Sequence, residues 1–138
     1  MHKLLIVEDS PKERLMYQHV IDCYQLFTGN HQSLGSCDSL NFLKQCQQNP
    51  VSWPDVMLLD LDMTESCGWN FLDEFERLMA TIHKKVDVYI VSSSISGADQ
   101  LRISKMAFIK DQFLKPVSRH ALLALHQLYE CSGGKIAS

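Results

Sequence analysis

The chain has 138 residues, 46% of them apolar and 21% charged, with a formal net charge of -3. That length makes one domain, able to bury a core without disulfide or metal staples, and the composition is that of an ordinary globular protein. The acidic balance and the lack of any basic run exclude a general affinity for nucleic acid, and no apolar stretch approaches the ~20 residues of a membrane span.

In chain order, Lys3 to Val7 reads as a short apolar strand, reached from Met1 with no signal peptide expected. Ser10-Pro11-Lys12-Glu13 then opens a helix: a serine cap, proline at the first helical position and glutamate closing a capping box. Met16, Val20, Cys23, Tyr24 and Phe27 are predicted as its inward stripe, and Thr28-Gly29-Asn30 breaks it. His31 to Gly35 is a weak strand, polar enough for a sheet edge. Asp38 or Ser39 is predicted to cap a second helix carrying Leu40, Leu43 and Cys46 and ending before Pro50.

Val56 to Leu59 is a continuous apolar run, the mark of a strand buried on both faces inside a parallel sheet, and it leads straight into Asp60. Phe71, Phe75, Leu78, Met79 and Ile82 form the stripe of a third helix, with Asp73, Glu74 and Glu76 on its solvated face. Val86 to Val91 is a β-branched fourth strand, Ser96 starts a short fourth helix, and Ala107 to Leu114 is a fifth strand interrupted by Lys110, Asp111 and Gln112. Ser118 caps a last helix with Ala121, Leu122, Leu125, Leu128 and Tyr129 inward. Residues 1–131 are expected to form the domain and 132–138 a flexible tail, Gly133-Gly134 fraying it. Five strands alternating with five helices call for an α/β fold with a doubly wound parallel sheet.

The polar residues that break this pattern fall at strand ends: Glu8 and Asp9 after the first, Asp60 after the third, Ser92-Ser93-Ser94 after the fourth, Lys115-Pro116 after the fifth. Parallel strands bring these ends to one edge of the sheet, where ligands bind in such folds. Three carboxylates there repel one another unless a cation sits among them, and hard oxygen donors suit Mg2+. A metal, a hydroxyl and a lysine around a carboxylate are the parts that stabilise a phosphoryl group in transfer. The carboxylate itself can serve as nucleophile and form an aspartyl phosphate.

With these residues in place the chain resembles a receiver domain of the bacterial two-component response regulators. The match runs from Lys3 to about Tyr129 through KLLIVEDS, PDVMLLDLDM with Gly68, VYIVSSS and FLKP, in the family's order and spacing. The resemblance implies a five-stranded (βα)5 flavodoxin-like sheet of order 2-1-3-4-5. It makes Asp60 the phosphoacceptor, Ser92 the hydroxyl and Lys115 the phosphoryl-binding lysine, followed by a cis bond to Pro116. It gives Mg2+ as cofactor, held directly by Asp9, Asp60 and the backbone carbonyl of Asp62, and by Glu8 through water. It implies a stand-alone cytoplasmic signalling protein that promotes its own phosphorylation and dephosphorylation rather than an enzyme. Its partners would be a sensor histidine kinase or histidine phosphotransfer protein and a downstream protein target, with no membrane or nucleic acid.

Three positions depart from the family's pattern: Thr64 replaces a proline, Gln112 replaces the aromatic switch residue three before the lysine, and Asp62 adds a carboxylate beside the site. An alternative is that Asp60-Leu61-Asp62-Met63-Thr64 is the D-x-D-x-T loop of a haloacid-dehalogenase-like phosphatase, with Asp62 as general acid/base. Such enzymes carry their acidic metal pair after the lysine, where this chain has only Glu130. A second alternative is a phosphorylation-independent interaction module. The five cysteines (Cys23, Cys37, Cys46, Cys67, Cys131) lack C-x-x-C spacing and fit reduced cytosolic thiols. The six histidines show no metal-ligand spacing.

Overall fold

A computed structural model of the chain describes residues 2–62 and 68–136, with side chains through Glu130. Met63, Thr64 and Cys67, which carry some of the expectations above, lie outside the described residues. The elements run β1 (Leu4–Val7), α1 (Pro11–Tyr24), β2 (His31–Leu34), α2 (Ser36–Gln45), β3 (Val56–Asp60), α3 (Gly68–Thr81), β4 (Asp87–Ser92), α4 (Gly97–Ser104), β5 (Ile109–Leu114) and α5 (Arg119–Ile136), with a 3-10 turn at Pro50–Ser52. All pairings are parallel and the sheet order is β2-β1-β3-β4-β5, as the resemblance implied.

Strand alternation sends the core to both faces of the sheet. Leu5, Val7, Met57, Leu59, Val88 and Ile90 pack with Leu43 of α2 and with Phe71, Leu72, Phe75 and Leu78 of α3. Leu4, Ile6, Val56, Leu58, Tyr89 and Val91 pack on the other face with Tyr17 and Ile21 of α1 and Leu122, Leu125 and Tyr129 of α5. Trp53 is fully buried, stacks on Phe75 with centroids 5.8 Å apart and donates its indole N–H to the Leu43 carbonyl at 3.0 Å. With β1, β3 and β4 sealed on both sides, their carboxyl ends are the places where polar chemistry can reach solvent.

Several local expectations change. The inward face of α1 is Tyr17 and Ile21, while Met16 is 59% exposed and Tyr24 and Cys23 are also outside. The helix is apolar on two adjacent stripes, and packing on β1 and α5 selects the one a position away from that predicted. It ends at Tyr24, where Gln25 and Phe27 take left-handed φ values of 54° and 46° and Gly29 follows at 73°. The start of α2 lies at Ser36, ahead of the predicted cap, because its acceptor comes from Asp9 in another element. In β5 the polar interruption is a register shift: Val88 faces Ile109 and Tyr89 faces Asp111, so Lys110 is the extra residue. In α5 Leu128 is exposed beside the buried Leu125 and Tyr129. The backbone of α5 is helical to Ile136, across two glycines that each cost about 1 kcal/mol of helix propensity.

Candidate functional site

Parallel register assembles the site. Val7 faces Leu59, Asp60 faces Val91 and Ser92 faces Leu114, so Glu8, Asp60, Ser92 and Lys115 leave neighbouring strands at one level. Lys115 extends the ladder by donating its backbone N–H to the Ser92 carbonyl at 2.9 Å, ahead of a cis bond to Pro116. Gly68 lets α3 start tight against this edge. A Cβ there would sit 2.6 Å from the Leu61 Cα and 3.1 Å from the Asp60 carbonyl oxygen.

Asp60 is 3% exposed. Its Oδ2 accepts from the Lys115 ammonium at 2.9 Å, and its Oδ1 accepts the Asp62 backbone N–H at 2.8 Å. The same ammonium lies 3.7 Å from Glu13 Oε2 and 3.7 Å from Asp62 Oδ2. Burial works against the charge of Lys115, but the hydrogen bond and charge of Asp60, then Glu13 and Glu8, outweigh it and raise its pKa.

Glu8, also 3% exposed, accepts the Ser10 N–H on Oε2 at 3.1 Å, while its Oε1 is buried with no hydrogen-bond partner. Burial first, then contact with Asp60, pushes its carboxyl up to about 8. The nearby Tyr17 phenol is raised by burial and then by the carboxylates of Glu8, Asp60 and Glu13. Oxygens of Glu8, Glu13 and Asp60 all lie within 4.8 Å of one another. An orphaned buried oxygen in a cluster of three acids fits a hard divalent cation, which would replace the proton that this crowding otherwise retains.

This cluster differs in one member from the acidic trio read at the strand ends. Glu8 and Asp60 come together, but the third member is Glu13, and Asp9 is outside the group. Asp9 Oδ1 instead accepts the Ser36 N–H at 2.7 Å and the Ser36 hydroxyl at 3.0 Å. The N-cap of α2 is Gly35, which has no side chain to offer, so Asp9 satisfies the first free N–H of that helix. Gly35 also leaves room for it, since a Cβ there would be 3.1 Å from Asp9 Oδ1. Glu13 escaped the sequence reading because it looked like the far half of a capping box. Ser10 does accept the Glu13 N–H at 3.3 Å, but Glu8 takes the Ser10 N–H and frees the Glu13 carboxylate for the site.

The Ser92 side chain is buried, 3.0 Å from Asp62 Oδ1 and 2.8 Å from the Ser94 carbonyl, so its one proton can serve either acceptor. Asp62 Oδ2 accepts the Ser93 N–H at 2.6 Å. Burial opposes ionisation of Asp62, but the hydrogen bonds from Ser93 and Ser92 and the charge of Lys115 prevail and lower its pKa. Its carboxylate is thus committed to the end of β4, an arrangement that does not favour the D-x-D-x-T reading with Asp62 as a free acid/base. Gln112 sits in β5 partly buried, its Oε1 without a partner, and Phe113 beside it stacks on Tyr89 at 6.0 Å on the core side. Trp69 on α3 lies under the Arg102 guanidinium at 4.4 Å. Among the described residues, no helix is long and apolar enough to cross a membrane.

A buried carboxylate held by a lysine and backed by two further acids is arranged to accept an electrophile at an anionic oxygen, with positive charge supplied at its side. No family model matches the chain, and no curated protein matches it. Solved structures do. A two-component response regulator from Cytophaga hutchinsonii matches with a TM-score of 0.71 at 21% identity, over 91% of this chain and 94% of that one. The phosphorylated cyanobacterial phytochrome response regulator RcpA matches with a TM-score of 0.64 at 22% identity, over 94% and 91%. The manganese-bound form of another response regulator matches with a TM-score of 0.64 at 21% identity, over 94% and 92%.

Proposed function

Because the chain has the fold of the response-regulator receiver domains, we propose that it is a phosphorylation-controlled signalling protein whose phosphoacceptor is Asp60. The observation that carries this reading is the Asp60 carboxylate, 3% exposed at the end of β3, with Lys115 Nζ 2.9 Å from Oδ2 and Glu8 and Glu13 within 4.8 Å. Packing alone gives no return for burying so much charge at one point.

In the proposed reaction an oxygen of Asp60 attacks the phosphorus of a phosphohistidine on a sensor kinase or phosphotransfer protein. The P–N bond breaks, its electron pair stays on the imidazole nitrogen, and a new P–O bond forms on Asp60. Lys115, whose raised pKa keeps it cationic, faces the negative oxygens as they pass. Ser92 and the Ser93 N–H are the remaining donors at that edge. Hydrolysis reverses the state: a water oxygen attacks phosphorus, the bond to Asp60 breaks, and inorganic phosphate leaves.

Glu8, Glu13 and Asp60 would hold Mg2+, and Asp9 would have to share its carboxylate with Ser36 to join them; the Asp62 carbonyl is the further ligand that the resemblance suggests. When bound, the ion supplies neutralisation of charge on the transferring phosphoryl oxygens. One solved neighbour holds manganese and another is phosphorylated, which supports both parts of the reading. The output is contact with another protein, through a β4–α4 edge whose position depends on the site. Peptide mapping by tandem mass spectrometry after treatment with a small phosphodonor tests the assignment: the label belongs on Asp60, and a label on any other residue overturns it.

A further inference from the structure

The Asp62 carboxylate fills a set of donors that is arranged for an anion. Its Oδ2 accepts the Ser93 N–H at 2.6 Å, its Oδ1 is 3.0 Å from the Ser92 hydroxyl, and Lys115 Nζ is 3.7 Å from Oδ2. A backbone N–H, a hydroxyl and an ammonium converging on one point are what charge-assisted hydrogen bonding offers to phosphoryl oxygens. The backbone N–H of Asp62 is meanwhile bonded to Asp60 Oδ1 at 2.8 Å. The acceptor carboxylate and the one filling its donors therefore belong to a single turn.

We infer that Asp62 is an internal surrogate for the phosphoryl group, occupying its donors in the unphosphorylated chain and leaving them when Asp60 is modified. The inference rests on the reading of Asp60 as phosphoacceptor. Two consequences follow from the geometry. The donors are open to an incoming phosphoryl group only in the fraction of molecules where Asp62 has swung out, so the apparent reactivity is reduced by that fraction. The Ser92–Ser94 turn is also already drawn toward the site, through Ser92 and Ser93, before any phosphoryl group arrives. Phosphorylation then exchanges one anion for another at this turn, and the Asp62 carboxylate released from Ser92 and Ser93 becomes part of the signal.

The test compares wild type, Asp62→Asn and Asp62→Ala. With phosphoramidate and Mg2+, the initial rate of phosphoryl mass gain is measured; without any phosphodonor, hydrogen exchange at the Ser93 amide is followed by NMR. A surrogate closed in about nine molecules of ten predicts Asp62→Ala phosphorylating roughly tenfold faster, with Ser93 exchange accelerated by a similar factor. Asp62→Asn keeps a carbonyl acceptor without the charge and should fall between. Equal or slower phosphorylation in Asp62→Ala, or an unchanged Ser93 exchange rate, overturns the surrogate. No mass gain in any of the three proteins, with Ser93 exchange still released in Asp62→Ala, instead overturns the phosphoacceptor reading and with it the surrogate's role, while the contact itself stands.

Discussion

Gly68→Ala probes how rigidly the chain behind Asp60 is held. The added Cβ would lie 2.6 Å from the Leu61 Cα, 2.9 Å from its Cδ2 and 3.1 Å from the Asp60 carbonyl oxygen. The first and last are backbone atoms, so no side-chain rotation relieves them. Nor can the strand move cheaply: Asp60 pairs with Val91, and Leu61 donates its N–H to the Val91 carbonyl at 2.8 Å. Overpacking of a tight contact costs ~1–3 kcal/mol, whereas alanine regains at most about 1 kcal/mol of helix propensity. The steric term wins, leaving a net loss of ~1–2 kcal/mol and a Tm lower by roughly 3–8 °C. Gly97→Ala is the matched control, because it sits at the first position of α4 with nothing within 4 Å of its added Cβ. It should be neutral or more stable by ~0.4–1 kcal/mol. Urea and thermal unfolding followed by tryptophan fluorescence, with the buried Trp53 as reporter, measure both. A Gly68→Ala protein as stable as Gly97→Ala would refute the claim that the turn behind Asp60 is rigid.

Glu13→Gln should lower Mg2+ affinity roughly tenfold or more by calorimetry, since it removes one of three clustered carboxylates; unchanged affinity would remove Glu13 from the cation site. Glu8 gives a pH signature. Its folded pKa, about 8, is above the ordinary 4.5, so the folded chain binds the extra proton and the resulting stability is complete below pH 4.5 and lost as pH rises through 8. Denaturant titrations in EDTA should show stability falling across that window by at most ~5 kcal/mol. Millimolar Mg2+ should flatten the fall, and a flat profile in EDTA would contradict the burial of Glu8 beside Asp60.

The apolar runs and capping serines carried most of the fold. Val56 to Leu59 reads as a buried strand and is one, and Ser10, Ser96 and Ser118 each accept an N–H at the start of a helix. The strand ends then located Glu8, Asp60, Ser92 and Lys115 at one edge. The features that the sequence left unread depend on contacts between distant segments. In α1 Met16 and Tyr17 are both apolar enough to face inward, and only packing against β1 and α5 decides for Tyr17. Asp9 capping α2 acts across 27 positions, so no local motif marks it. Glu13 was hidden by a motif that it completes only halfway. Asp62 stood out as an extra acid, yet that its acceptors are Ser92 and Ser93 depends on the closing of the sheet between β3 and β4.

The central claim is that Asp60 takes the phosphoryl group. Intact-mass spectrometry of the wild-type protein with phosphoramidate, in Mg2+ and in EDTA and alongside Asp60→Asn, tests it most directly. The account predicts a gain of one phosphoryl group in Mg2+, little or none in EDTA, and none in Asp60→Asn. An Asp60→Asn protein labelled as fully as wild type would contradict it.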